Sequence, residues 1–129
     1  MCLITHGKPK FRKSLFRHTY YKVLTERGGR LYTPFQACYI ILDTKYEIMD
    51  DTKTEFSPWI YDEWKVYGGC FHLYCKKYDA KREAEYLSMR DGQKYKVFKA
   101  VVPAGTRCAK GMFGSNEAIA VRRVIYQEL

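Results

Sequence analysis

The residues of this chain that could do chemistry are concentrated in Cys70–Cys75, with the sequence CFHLYC. An imidazole between two thiols suggests either a metal site or a Cys–His pair for nucleophilic catalysis. On a strand, however, His72 and Cys70 share one face while Cys75 lies on the other. Because no second Cys/His pair completes a tetrahedral zinc site, we expect no metal here. We expect His72 and Tyr74, which share a strand face, to line a ligand pocket together.

Cys2 is a second candidate nucleophile. Removal of Met1 would expose an α-amine that could serve as the base for the Cys2 thiol. The chain has five cysteines, an odd number, and the apolar stretch near its start is too short for a signal peptide. We therefore expect reduced thiols in a cytoplasmic protein. No family signature surrounds any cysteine, so no catalytic residue is predicted, and a Cys-dependent enzyme remains an alternative.

The best candidate for holding a phosphate is Gly105–Gly114, with the sequence GTRCAKGMFG, since neither GxxxxGK[ST] nor GxGxxG occurs. Its backbone amides, with Arg107 and Lys110, could bind an anion in one loop. A glycine-rich hairpin turn with solvated charges is an equally good interpretation. Arg122 and Arg123 add cations further along the chain, but on a regular strand only one of the two can face a pocket.

A basic segment with interleaved aromatic residues precedes the first predicted strand. Its cations are Lys8, Lys10, Arg12, Lys13 and Arg17. Basic and aromatic side chains together suit single-stranded nucleic acid, because bases stack on the rings while the cations follow the phosphates. The alternative prediction is therefore a basic N-terminal arm, over about residues 1–18, that binds nucleic acid.

Length and charge limit the class of protein. The 129 residues make one domain, and 23 Lys and Arg against 14 Asp and Glu give a net charge of +9. Such an excess attracts an anionic partner, which could be a nucleotide, a nucleic acid or an acidic protein surface. No uncharged run approaches the roughly 20 residues of a membrane helix, and no motif implies a cofactor. We expect a soluble protein without a membrane partner.

The elements that must position these residues are mostly strands. Segments rich in β-branched, aromatic or apolar residues predict strands at Tyr20–Leu24, Ala37–Leu42, Cys70–Cys75, Tyr95–Val102 and Ile119–Tyr126, the last with a helix as the alternative. One helix is predicted over about residues 79–90, with Asp79 as its N-cap and an apolar stripe of Ala80, Ala84 and Leu87. The predicted class is α+β, with a small, mostly antiparallel sheet and one clear helix.

Several short motifs occur together in this sequence. They are Met1-Cys2, Tyr21-Lys22-Val23-Leu24, Leu31-Tyr32-Thr33-Pro34, Gly68-Gly69-Cys70-Phe71-His72, Ala80 in the predicted helix, Lys99–Thr106 (KAVVPAGT), Gly111 and a terminal strand over Ala120–Ile125. In this combination the chain resembles a group of small uncharacterised proteins carried by phages and prophages of gut bacteria. The resemblance implies an accessory protein in the cytoplasm of an infected bacterial host. It implies no reaction and no catalytic residue.

A weaker likeness is to the ADP-ribosyltransferase fold. It rests on Tyr21, the strand Phe71–Tyr74 and a late acid, which would be Glu117 or Glu128. This likeness implies an enzyme as a further alternative, although the chain lacks the acidic and serine-rich motifs of that group.

These observations favour a binding protein over an enzyme. We predict a phage-encoded counter-defence factor that binds an anionic ligand, by sequestering a nucleotide signal or by inhibiting a host defence protein. The predicted ligand-binding residues are His72, Tyr74, Arg107, Lys110, Arg122 and Arg123. The alternatives are a nucleic-acid-binding accessory protein and an ADP-ribosyltransferase-like or Cys-dependent enzyme. The sequence is also compatible with a homo-oligomer.

Overall fold

The chain folds around one extended antiparallel sheet. The computed structural model describes residues 3–35, 37–49 and 54–129. Its strands are β1 (Leu3–His6), β2 (Arg12–Lys13), β3 (His18–Arg27), β4 (Arg30–Tyr32), β5 (Tyr39–Ile40), β6 (Lys45–Glu47), β7 (Glu55–Pro58), β8 (Glu63–Gly68), β9 (Phe71–Tyr74), β10 (Tyr95–Val102), β11 (Arg107–Phe113), β12 (Asn116–Val121) and β13 (Arg123–Gln127). The helix α1 spans Lys77–Asp91.

The sheet curls into a half-barrel. Its strand order is β6-β13-β10-β3-β9-β12-β11-β1-β8-β7, with β2 beside β11 and with β4 and β5 extending from β3. All strand pairs in the described residues are antiparallel. The prediction of a mostly antiparallel sheet with one helix is confirmed, but the sheet is larger than predicted.

Both faces of the sheet are packed. On one face, Val23 and Tyr74 join a buried cluster that includes Ala84 and Leu87 of α1. On the other face, Leu24 and Leu73 join a second buried cluster. Successive residues of β3 and β9 thus enter different clusters, as the two-residue period of a strand requires. The alternation of faces predicted along Cys70–Cys75 is confirmed at Leu73 and Tyr74.

The helix begins and ends near its predicted bounds, and its predicted stripe of Ala80, Ala84 and Leu87 is buried. The predicted N-cap is wrong. The cap position is Lys76, which makes no side-chain cap hydrogen bond, and Asp79 lies in the first helical turn. There its Oδ1 lies 3.4 Å from a guanidinium nitrogen of Arg82. The positive end of the helix dipole also stabilises its negative charge.

The basic segment is built into the sheet rather than appended to it. Strand β1 lies between β11 and β8, and Leu3 is fully buried. Further along, Arg12 and Lys13 pair with Cys108 and Arg107 of β11. Residues 3–6 and 12–13 are therefore part of the sheet.

Candidate functional site

A cavity of about 310 Å³ is lined by residues of both buried clusters. We call it the central cavity. Its walls come from β3, the connection between β4 and β5, β8, β9, α1, β11 and β13, and most of the lining is aliphatic or aromatic. Phe35 and Tyr67, which are both well exposed, lie at its edge. An apolar concave site with a few polar groups is the usual form of a small-molecule site.

Lys22 brings an amino group to this cavity. Its Nζ donates a hydrogen bond to the backbone carbonyl oxygen of His72, at 3.0 Å. Burial lowers the pKa of Lys22 to about 8, because a low-dielectric environment disfavours the ammonium form. Within the described ranges, no carboxylate lies at ion-pair distance from this amino group.

The local sheet geometry explains how Lys22 reaches His72. Strands β3 and β9 pair through one residue pair, Tyr21 with Tyr74. By contrast, β3 pairs with β10 along eight successive residues. Beyond Tyr21 the ladder between β3 and β9 stops, and the Lys22 side chain provides a hydrogen bond to the backbone of β9.

His72 and Tyr74 both line the central cavity, and both contact Phe113. The ring centroids lie 5.7 Å apart for His72 and Phe113, and 5.3 Å apart with edge-to-face geometry for Tyr74 and Phe113. Burial, with smaller contributions from Glu83 and Asp79, raises the pKa of Tyr74, so its hydroxyl stays protonated and can donate. The aromatic wall can therefore stack a planar ligand.

Three thiols of the described residues, of which only Cys70 lines the central cavity, are poor nucleophiles. Burial raises the pKa of Cys70 to about 12 and that of Cys108 to about 11, and it also raises the pKa of Cys75. Since the thiolate is the reactive form, these three side chains behave as small apolar groups at neutral pH. Cys2, the other predicted nucleophile, lies outside the described residues.

The four cations predicted to bind the ligand do not line the central cavity. The Arg122 guanidinium lies over the Phe11 ring, 4.5 Å from its centroid, and burial lowers its pKa. Arg123 donates to the Glu47 carboxylate at 3.1 Å. The predicted set of six residues is therefore not one site: its His72 and Tyr74 lie in the cavity, and its cations lie elsewhere.

Arg107 and Lys110 belong to a strand rather than to a phosphate-binding loop. Residues 107–113 form β11, whose backbone pairs with β12, β1 and β2. These amides are used in the ladder, so the predicted loop of free amides around Arg107 and Lys110 does not exist. Only the flanking Gly105 and Gly114 have positive φ, of 80° and 58°, and form turns.

A second concave surface, which we call the basic groove, lies between β11 and the segment that follows β1. Its cations are Lys8, Lys10, Arg12 and Lys110. All four are exposed, and within the described ranges none of them is in an ion pair. Glu117 also lines the groove and lies 3.9 Å from Lys76. The fold thus joins three of the five predicted arm cations to Lys110, while Lys13 lies beside Arg107 and Arg17 is exposed before β3.

The acids of the ADP-ribosyltransferase likeness lie apart from His72. Glu117 is in the basic groove, and Glu128 follows β13; neither lines the central cavity. Over residues 3–35, 37–49 and 54–129, no group of three or more His, Cys, Asp or Glu side chains is arranged to hold a metal ion.

Comparison with protein-family models, curated proteins and solved structures gave no significant match. In the part of the chain that the structure describes, no helix is long and apolar enough to cross a membrane. The case for function therefore rests on the geometry of this chain.

Sequence reasoning missed Lys22, the one lysine of the described residues in the lining of the central cavity. A local signal existed. Lys22 stands between Tyr20 and Leu24 at an alternate position of an otherwise apolar strand, and both neighbours pack in the second cluster. A lysine at an inward strand position is unusual, because burying its charge costs free energy.

Proposed function

We propose that the protein binds a small anionic ligand with an aromatic or apolar body in the central cavity, without turning it over. The observation that carries this proposal is the amino group of Lys22, which faces an apolar cavity and has no carboxylate partner among the described residues. A buried ammonium is costly unless an opposite charge compensates it. A ligand anion would supply that charge.

The remaining lining indicates the body of the ligand. Phe71, Phe113 and Tyr126 offer aromatic surface, and Glu83 of α1 offers an acceptor for a ligand donor. A volume of about 310 Å³ is at the lower end of the roughly 300–1,000 Å³ typical of ligand pockets. A mononucleotide or a smaller aromatic acid suits this volume better than a cyclic dinucleotide.

The resemblance to small phage and prophage proteins adds a biological setting to the proposal. In that setting the protein would sequester a small nucleotide signal in an infected bacterial host. Inhibition of a host defence protein is the other form of the same counter-defence role, and it would use the outer surface rather than the cavity.

The test uses anilinonaphthalenesulfonate, an aromatic anion whose fluorescence rises in apolar surroundings. We expect saturable binding of one molecule per chain, and competition by mononucleotides or aromatic carboxylates should identify the class of natural ligand. Lys22→Met should weaken binding about tenfold or more, because a hydrogen bond to a charged group contributes about 1.5–3 kcal/mol.

Lys96→Met is the matched control. Lys96 is exposed on β10, the strand that pairs with β3, and it does not line the cavity. This variant loses the same charge from the surface and should bind the dye as the wild type does. Equal affinity in Lys22→Met and the wild type would refute the proposal, as would an equal loss in both variants.

A second candidate function, binding of single-stranded nucleic acid, is favoured by the basic groove. Four exposed cations from two segments distant in sequence lie along one surface there. Cations in a row can follow a phosphate backbone, and affinity then falls steeply with salt.

The double charge reversal Lys10→Glu with Arg12→Glu tests the groove. In fluorescence anisotropy with a labelled oligothymidylate, the double variant should bind more weakly. The slope of log affinity against log salt concentration should become less steep by about 1.4, since each lost phosphate contact accounts for about 0.7. Lys81→Glu with Lys94→Glu changes the net charge equally, at exposed positions outside the groove. Equal losses of affinity in the two double variants would show that binding depends only on net charge, and would exclude a site in the groove.

A further inference from the structure

The chemistry of an amine in an apolar cavity differs from that of a surface lysine. An ordinary lysine is almost fully protonated at neutral pH and has no free lone pair for attack on carbon. Burial lowers the pKa of Lys22 to about 8. About one molecule in ten then carries the neutral amine at pH 7, against about one in three thousand for an unperturbed lysine. Desolvation is a recognised way to activate a lysine toward carbonyl compounds.

The geometry keeps this amine in one place. A neutral amine has two N–H bonds and a lone pair, so the hydrogen bond from Nζ to the His72 carbonyl at 3.0 Å leaves the lone pair available. The Tyr74 hydroxyl, which stays protonated, and the Glu83 carboxylate also belong to the cavity wall. Tyr74 and Glu83 therefore lie in the same cavity wall as the nucleophile.

We propose that Lys22 captures a small aromatic aldehyde in the central cavity as a reversible imine. This inference rests on the proposed function, since it takes the central cavity to be a ligand site. It names a second ligand class for that site and a covalent mode of binding.

The step balances without an oxidant or a reductant. The Lys22 lone pair attacks the carbonyl carbon, a C–N bond forms, and the carbonyl π electrons move to oxygen. The nitrogen loses a proton and the oxygen gains one, which gives a carbinolamine. The nitrogen lone pair then forms the C=N bond as the hydroxyl takes up a proton and leaves as water, and the nitrogen gives up its remaining proton, so that the proton count balances. Amine and aldehyde give imine and water, and hydrolysis reverses the step.

The lining suits an aromatic aldehyde. Phe71, Phe113 and His72 provide rings on which a planar ligand can stack. The apolar surface also limits the access of water to the C=N bond, which slows its hydrolysis.

Benzaldehyde at limiting concentration, with cyanoborohydride to reduce the imine, tests the inference on the full chain. We expect one adduct per chain in the intact mass, and peptide mapping should place it on Lys22. The yield should rise between about pH 6 and pH 8, as the neutral amine becomes more abundant. Lys22→Met should lose the adduct while Lys96→Met keeps it, with circular dichroism to confirm that both variants are folded.

An adduct spread over the exposed lysines, or one that persists in Lys22→Met, would overturn the inference. If Lys22→Met does not fold, the peptide map of the wild type decides alone. Saturable dye binding that depends on Lys22, without an adduct on Lys22, would refute the imine and leave the proposed function intact. If the wild type neither binds the dye saturably nor forms an adduct on Lys22, both proposals are refuted.

Discussion

Burial of the Lys22 ammonium lowers the free energy of unfolding by an amount that depends on pH. Its pKa is lowered by burial to about 8, against an ordinary value of 10.5. Between these two values the unfolded chain binds more protons at this position than the folded chain does. By linkage, the contribution of Lys22 to the free energy of unfolding therefore rises with pH across this window.

The first prediction concerns this pH dependence. Relative to the wild type, Lys22→Met should be most stabilised below about pH 8, by up to about 3 kcal/mol less the value of the lost hydrogen bond. The advantage should shrink as the pH rises from about 8 to about 10.5. Urea unfolding of both proteins at several pH values measures the difference. A difference that is constant with pH would contradict the prediction.

Only part of the candidate site could be predicted from the sequence. His72 and Tyr74 follow from an apolar strand with alternating faces, and both lie in the cavity. Lys22 lies within the predicted strand Tyr20–Leu24, but the carbonyl to which it donates lies fifty residues away. The ladder between β3 and β9 ends beyond Tyr21, and the position of that end depends on how all the strands pair, not on the local sequence. Similarly, the partners of Arg122 and Arg123 are Phe11 and Glu47, which no local pattern connects to them.

At the scale of elements, β1 and β11 approach each other closely at Gly111. A Cβ atom built there would lie 2.5 Å from the backbone oxygen of Ile4 and 2.8 Å from Cγ of Leu3. Backbone cannot turn aside as a flexible side chain can. The absence of a side chain at Gly111 is therefore what allows the two strands to pair.

The second prediction follows from this contact. Gly111→Ala should lower the free energy of unfolding by about 1–3 kcal/mol, because β1 must move away from β11. Gly68→Ala is the matched comparison, since its new Cβ would meet Oε1 of Glu55 at 2.8 Å, and that carboxylate can rotate away. Thermal unfolding of the two variants should show the larger loss for Gly111→Ala. A larger loss for Gly68→Ala would refute the argument.

Element boundaries show where local patterns stop being informative. The strand predicted at Ile119–Tyr126 is two strands, because the chain bends at Arg122 and exchanges β9 and β11 for β10 and β6 as neighbours. The glycines of Gly105–Gly114 suggested a loop, yet Gly111 serves close packing inside β11. Strand β10 has the bounds predicted for it, and helix α1, whose hydrogen bonds join residues four apart, lies within two residues of its predicted bounds.

At the scale of the molecule, the position of β1 makes the basic segment structural. Leu3 has no exposed surface, and it packs in the cluster that includes Val66 and Phe113. Exposed cations and apolar residues that hold the sheet together thus occur within one stretch of chain.

The third prediction separates these two roles. Leu3→Ala should cost about 2–5 kcal/mol, the usual loss for a leucine truncated in a packed core. Leu15→Ala, at a residue that is 84% exposed in the same basic segment, should change stability by less than about 0.5 kcal/mol. Chemical unfolding measures both. Similar small effects would mean that the segment behaves as an appended arm.

The placement of β1 also sets an order of events during synthesis. Its two neighbours, β8 at Glu63–Gly68 and β11 at Arg107–Phe113, are translated long after it. A nascent chain therefore holds an apolar, strand-forming segment that has no pairing partner until much later residues leave the ribosome. Sheets assembled from such distant segments fold slowly, and they expose unpaired edges while they wait. The lysines and arginines of residues 8–17 would oppose aggregation before β8 and β11 are made, since charge beside an unpaired strand disfavours its association with other chains.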